Sequence, residues 1–571
     1  MRYRRVGRIS ALIAGSLIAA ACSGSGGGEP PQNSDFPPAS TTVSDTAGTA
    51  TTTTSPKVGG SVKMGMFSET VGLDPVLLHG GGTSGGTEGA AIYDAIMRYD
   101  TATKKFEPRT AASLTPNGEY SEWTLRLRPG IKFSDGTDYD ADAVVFGMKR
   151  HTTFSSRAAG LVATIKTYTV VDKLTLEFTL HSPWANFPYV LASSPGMVPS
   201  PTAVKAACGA NQVIHPRACV FNGKPVGAGP FKVDSYKPKE AIELARSDTY
   251  WGGKAHLDAV SFVVLAGAPA SYDALTTDTL QLAFLREPGV VKKAQDERRV
   301  ETYINTQWLG GVAMMNNGRI NCRGGLPAPH CTAKADGVTT LDTVTADSRV
   351  RQAVGFALDP QVINQRANAG AGYPGGEFFQ KSSKWASVAP VNAYNLDSAT
   401  TLVDAVKKEG KWDGTIRVNC HNAPSRQSWA QAVSNQLSAA GFNVKLKNDY
   451  DRTAFETDVL VNKAYDLACW GINVAEEAPE IALQQTVLST AAGNVMNYVS
   501  ADVDAQIEIL RESTTDAERA AALEKIQDIW RIDMPAAVHE AIPEMIAWQK
   551  KVYGLEMTLG TVVLFDKAWI G

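Results

Sequence analysis

Between Ser425 and Lys447 the chain reads "SRQSWAQAVSNQLSAAGFNVKLK": a helical run, a stop at Gly441, then Phe442, Val444 and Leu446 in alternation. A helix passing through one glycine into a strand is an αβ unit, and such units argue for an α/β fold with helices packed on a sheet. The chain from Val58 onward keeps the same mixture. "SVKMGMF" alternates through Val62, Met64 and Met66 and reads as a first strand. Trp123, Leu125 and Leu127 alternate before Pro129-Gly130 and "IKF", a hairpin signal. In "TVVDKLTLEFTL" a second hairpin puts Leu174, Leu176, Phe178 and Leu180 on one face. Asp347 is placed to cap "SRVRQAVGFALD", with Val350, Val354 and Ala357 on one side and Pro360 as the stop. The stripe Leu523, Ile526, Ile529 and Trp530 in "DAERAAALEKIQDIW" marks a helix that faces a core.

A chain of 571 residues with 44% hydrophobic and 20% charged residues is long enough for two to four domains. Its start has a different character. Arg2, Arg4, Arg5 and Arg8 precede the apolar run "ISALIAGSLIAAA", which has signal-peptide length and is short for a membrane span. Ala19-Ala20-Ala21-Cys22 follows, small residues before a cysteine, similar to the lipobox of bacterial lipoproteins, although Ala19 stands where leucine is usual. Residues 1–22 are therefore expected to be a lipoprotein signal peptide, with Cys22 the lipidated residue that anchors an exported chain to the outer face of the cell membrane. Residues 23–56 are mostly Gly, Ser, Thr and Pro, with few charges and one aromatic, Phe36, the composition of a disordered stalk.

Loss of the four leader arginines leaves 51 basic against 58 acidic residues, a formal charge near −7, which disfavours nucleic acid as a partner. Six cysteines follow Cys22, an even number that suits an oxidising compartment. The pairings ranked first are Cys208 with Cys219 and Cys322 with Cys331, leaving Cys420 with Cys469; six cysteines admit fifteen pairings. No C-x-x-C or H-x-x-x-H occurs, so disulfides are favoured over a metal site.

The stretch His79 to Ala90, "HGGGTSGGTEGA", overlaps three catalytic patterns: a lipase-like HGGG, a G-x-S-x-G elbow and G-x-G-x-x-G. The oxyanion loop and the nucleophile elbow belong on separate strand-to-helix turns, and here both motifs need Gly82. S-x-x-K, H-E-x-x-H and a P-loop are absent from the sequence. The chain is expected to bind a ligand without catalysing a reaction and to need no cofactor.

The segment Phe106 to Arg150 supplies the more specific reading. Leu127-Arg128-Pro129-Gly130-Ile131-Lys132-Phe133, then Ser134-Asp135-Gly136-Thr137 and a helix from Ala141 to Arg150, resemble the signature of extracellular solute-binding proteins of the peptide and nickel class, which feed ABC importers. "GLDP" at 72–75, "IYDAIMRYD" at 92–100, "PVGAGPFKV" at 225–233 and "SRVRQAVGFALD" at 348–359 stand in the same order as in that family, with Ala228 in place of its threonine. The resemblance implies a two-lobe periplasmic-binding-protein-like fold with hinge strands and an extra inserted domain. Lobe I would comprise 57–92, 223–309 and 536–571, the inserted domain 93–222, and lobe II 310–535. It implies ligand capture by lobe closure and delivery to an ABC permease, a peptide-like ligand, and a monomer. Oligosaccharides, metal chelates and a regulatory or scaffolding lipoprotein of the same fold are the alternatives.

The same resemblance proposes ligand-binding residues. Trp470 stands at the family's ligand-facing tryptophan, and Asn473 replaces an aspartate that pairs with a peptide's α-amino group in relatives. An amide does not compensate a desolvated ammonium, which weakens a simple peptide reading. Glu476 and Glu477 stand near enough to substitute, or they form a solvated acidic turn. Trp308 and His539 are pocket residues or packed core. Gly82, Thr83 and Ser84 are expected to meet the ligand through backbone and hydroxyl groups.

Overall fold

The computed structural model describes residues 55–571, apart from 79, 155, 212–213, 266, 323–330, 332–336 and 492. The signal peptide, Cys22 and all but the last two residues of the stalk lie outside the described residues. Among those described, no helix is long and apolar enough to cross a membrane.

One long sheet organises the chain. Its strands are β1 (Ser61–Met66), β2 (Phe231–Lys237), β3 (Ala241–Arg246), β4 (Ala259–Val264), β5 (Leu282–Leu285), β6 (Glu301–Met315), β7 (Thr415–Asn419), β8 (Asn443–Lys447), β9 (Leu467–Trp470) and β10 (Ala536–Trp548). They run in the order β8-β7-β9-β6-β10-β5-β1-β4-β3-β2, and Tyr373–Pro374 adds a short pairing on β10. β1 lies parallel to β4 and β5, and β7 parallel to β8 and β9, as expected where helices return the chain. Between these two parallel groups stand the antiparallel pair β6 and β10, of 15 and 13 residues. Every residue of β10 is buried, so this pair runs through the middle of the molecule.

The cores follow the same division. One cluster collects residues between Trp308 and Ala541 and forms the second lobe. Two others, one on Val62, Phe262 and Val563 and one on Tyr272, Leu285 and Met545, lie on the first. A separate cluster takes Ile96 to Val198 around a four-stranded antiparallel sheet of Ala111–Pro116, Glu122–Leu127, Thr175–Leu180 and Ile165–Asp172. Met197, Val204, Cys208, Cys219 and Phe221, within the segment 93–222, pack instead into the first lobe.

Most local readings hold, and one does not. Val62, Met64 and Met66 all point into the core, Asp347 accepts the Arg349 amide at 2.9 Å, and Leu176, Phe178 and Leu180 are buried on their hairpin. Pro129-Gly130 makes a turn but closes no hairpin. Glu122–Leu127 has both edges taken, by Ala111–Pro116 and Thr175–Leu180, and "IKF" keeps only a bridge from Lys132 to Asp138. The αβ unit opens α1 (Pro424–Ala439), which enters β8 through Gly441 at φ +91°. Cys208–Cys219, Cys322–Cys331 and Cys420–Cys469 are bonded, the pairings that spacing ranked first.

Two signature landmarks meet in the interior. Arg150, which ends the signature helix, forks onto Asp74 of "GLDP", Nη1 to Oδ1 at 2.8 Å and Nη2 to Oδ2 at 2.6 Å, with both side chains buried. The Tyr93 hydroxyl donates to the Leu73 carbonyl at 2.8 Å, and Asn222 accepts the Leu73 and Asp74 amides.

Candidate functional site

Where β6 passes from one lobe to the other its register slips between Gln307 and Val312, and Leu309 adopts φ +51°. This bulge receives the loop that leaves β9. Trp308 and Val474 exchange backbone hydrogen bonds at 2.9 and 2.7 Å, and the Leu309 carbonyl accepts the Ile472 and Asn473 amides. Gly471 permits the approach, since a Cβ there would stand 2.3 Å from the Gly310 oxygen. Asn473 sits at φ +59°, a conformation asparagine tolerates better than most residues. The crossover thus brings Trp308, Trp470 and Asn473 onto one seam.

Ionisable groups from both lobes converge beside it. Arg286, at the end of β5, donates from Nη2 to Asn473 Oδ1 at 2.9 Å and brings Nε within 3.6 Å of Glu544 on β10. Glu544 also accepts from Gln307 at 3.2 Å; burial lifts its carboxyl to about 7 against the pull of Arg286. Glu540 accepts from Asn368 at 2.9 Å, and burial raises it too, with Arg426 and Arg286 opposing. Arg426 lies in the first turn of α1, half-buried. Its guanidinium has no hydrogen bond or ion pair among the described residues. Burial lowers its basicity, Glu540 restores some, and the neighbouring Arg286 and Arg452 lower it further. The N-cap of α1 is Ala423, which offers no capping side chain, so this helix end is partly unsatisfied as well.

His539 completes the cluster. It is 1% exposed, and its Nε2 accepts from Trp429 Nε1 at 2.9 Å, which leaves the proton on Nδ1. Nδ1 has no hydrogen-bond partner among the described residues and stands 4.0 Å from Glu540 Oε1. Burial and then Arg426 depress this imidazole to about 3, so it is neutral near pH 7. Gly311 makes room for the crossing, because a Cβ there would lie 2.4 Å from Glu540 Cγ. The Cys420–Cys469 bond ties the end of β7, which leads to α1, to β9, which leads to Trp470.

The remaining expected residues fall nearby in different settings. Trp308 is packed in the second-lobe core, 6.1 Å from the Phe379 ring, with Nε1 unpartnered among the described residues. Trp470 is half-buried, 5.9 Å from Phe455, which stands against His421 and Tyr450 and so makes an aromatic wall. Gly82 donates its amide to the Gly560 carbonyl at 2.7 Å, and a Cβ there would reach within 2.3 Å of the Thr561 oxygen. Ser84 is buried and donates to the Glu69 carbonyl at 3.2 Å. Thr83 is half-buried, and its hydroxyl makes no hydrogen bond among the described residues. The glycine loop thus packs against Gly560–Thr561, with the Gly82 amide and the Ser84 hydroxyl engaged by the protein itself.

Glu476 and Glu477 are neither a solvated turn nor free acids. Glu477 accepts the Gly560 amide at 3.3 Å, and Glu476 accepts the Lys384 amide at 3.3 Å and lies 3.8 Å from Lys104. Glu480, fully buried, accepts from Asn186 at 2.8 Å and Trp184 at 3.3 Å, and Ala478 and Ile481 pack into the inserted core. Lobe II is therefore docked on the rest of the molecule: the seam is closed. Two cavities lie elsewhere. One is lined by Glu69, Glu88, Tyr236 and Lys239, the other by Arg128, Pro129 and Trp251, and neither involves lobe II.

Sequence reading missed Arg286, Arg426, Glu540 and Glu544. A signal existed for two of them: Glu540 and Glu544 are acids at even spacing inside the otherwise apolar "AAVHEAIPEMIAW". Such residues in a buried strand need partners.

Comparison with known proteins agrees with this architecture. Residues 105–494 match the model described as bacterial extracellular solute-binding proteins, family 5 Middle. The chain is 24% identical over 488 residues to Protein XP55 of Streptomyces lividans, covering 82% of this chain and 81% of that one. It superposes on the ABC transporter substrate-binding protein CtaP of Listeria monocytogenes with a TM-score of 0.70 and 22% identity, over 90% of this chain and 100% of the other. The oligopeptide-binding protein AppA of Bacillus subtilis, solved with a nonapeptide, gives 0.70 and 19% with the same coverage. These structural likenesses carry the fold, a two-lobe α/β architecture. The family match spans more than half the chain, and the protein belongs to the bacterial extracellular solute-binding proteins of family 5.

Proposed function

We propose that the protein is the substrate-binding component of an ABC importer, which captures a small polar ligand between its lobes and presents it to the permease. One observation carries the ligand chemistry. Arg426 is a half-buried cation with no hydrogen bond or ion pair among the described residues, at a helix end without a capping side chain, beside the orphaned Nδ1–H of His539. Unpaired buried donors are costly, and a carboxylate settling among these three would satisfy all of them. Trp470, Trp308 and Thr83 are the remaining proposed contacts, an aromatic wall, an indole donor and a free hydroxyl. Asn473 lies on the rim, and Gly82 and Ser84 act by positioning Thr83. A peptide-like carboxylate suits this set. Cys22 would carry the lipid that holds the exported protein at the membrane, with residues 23–56 as its tether.

Native mass spectrometry of the purified protein tests the reading. The expected result is a retained small molecule that bears a carboxylate and is released on unfolding. A chain that carries none, and that instead captures another envelope protein, would contradict a transport role and favour a scaffold.

A further inference from the structure

The cationic side of the seam is not symmetrical. Arg426 makes no hydrogen bond or ion pair among the described residues, whereas Arg286 is faced by Asn473 and Glu544, although its Nε makes no hydrogen bond. Arg286 donates to Asn473 at 2.9 Å, approaches Glu544 at 3.6 Å and lies over the Phe67 ring at 5.8 Å. It thus occupies both the amide and the carboxylate that an incoming ammonium would need. The other acids are taken as well. Glu540 receives Asn368, Glu477 receives the Gly560 amide, Glu480 receives Asn186 and Trp184, and Glu476 receives the Lys384 amide. Arg452, the other arginine beside Arg426, is paired with Glu456 at 2.7 Å. An ammonium entering here would be desolvated between Arg286 and Arg426, where each neighbouring carboxylate among the described residues already receives a donor on one oxygen, while a carboxylate would meet Arg426 directly.

We infer that Arg286 is a specificity-determining residue: it holds the protein's own guanidinium where a ligand ammonium would sit, so the cleft selects carboxylates whose amino end is absent or acylated. This rests on the proposed function and names the ligand class within it. Asn473 then has a role that an aspartate would fill differently. Its neutral oxygen takes the outer end of Arg286 and leaves Glu544 on the inner end.

The test uses protein unfolded and refolded free of ligand, offered two pools of random-sequence tetrapeptides that differ only in N-acetylation. Wild type is expected to retain acetylated members over free ones by about tenfold or more, read by mass spectrometry of the eluate. Arg286→Gln should reduce that ratio toward one, and Arg286→Gln combined with Asn473→Asp should reverse it, because the new carboxylate is then unpaired. Circular dichroism melts show that each variant is folded. Equal retention of both pools by wild type overturns the inference and leaves the proposed function standing. A native ligand with a free ammonium bound at the seam does the same. Retention of neither pool, together with a native protein that carries no small ligand, overturns both.

Discussion

Asp74→Ala is expected to cost about 3–5 kcal/mol of stability, because it leaves a fully buried guanidinium without its carboxylate. Arg150 forks onto both oxygens of Asp74, and the two side chains are 1% and 0% exposed. Neither water nor a surface ion replaces the lost partner. The damage reaches further than one ion pair. Asp74 accepts the Val76 amide at 3.2 Å, and its own amide is held by Asn222, so the segment that leads into the glycine loop loses an anchor. Urea titration of the single variant should show the loss. Asp74→Leu combined with Arg150→Met should recover most of it, since an apolar pair of similar volume replaces a buried ion pair at little cost. A single variant as stable as wild type would mean that the signature helix is not tied to "GLDP" in this way.

Arg426→Met is the second large effect, and its two readouts move in opposite directions. Ligand affinity should fall by about 2–5 kcal/mol, roughly 30-fold or more, because the ligand carboxylate of the proposed function loses the cation it would settle on. The ligand-free protein should melt no lower than wild type. Arg426 has no ion pair or hydrogen bond among the described residues to forfeit, and burial and its neighbouring arginines work against its charge, with only Glu540 opposing them. Isothermal titration against the native ligand and a thermal melt of the stripped protein separate the two. A drop in melting temperature with unchanged affinity would assign Arg426 to structure.

How much of this was legible beforehand depends on the range over which each feature acts. The αβ unit at 425–447, the first strand and the capped helix after Asp347 are set by periods of two and 3.6 residues within one segment, and they read correctly. The Pro129-Gly130 hairpin did not. A turn signal reports a local bend and carries no information on which strand edges are free, and here Ala111–Pro116 and Thr175–Leu180 had taken both. The cysteine pairs were readable because close spacing favoured two of them and left the third. The seam was not. Arg286 meets Asn473 across 187 positions, and Trp429 meets His539 across 110, so no window of sequence contains the cluster. Glycines were the other blind spot. Density around Gly82 suggested open backbone for a ligand, whereas Gly82 and Gly311 serve close crossings against Thr561 and Glu540.

Lobe II here meets the inserted domain through Glu480 with Asn186 and Trp184, and lobe I through Glu477 with the Gly560 amide, contacts that a ligand trapped at the seam would help to hold. Small-angle X-ray scattering on the protein stripped of ligand by unfolding and refolding, and then reloaded with its native ligand, measures this closure directly. Capture between lobes requires that the stripped protein have the larger radius of gyration and contract when the ligand returns. Identical scattering in both states, with the ligand demonstrably bound, would contradict it.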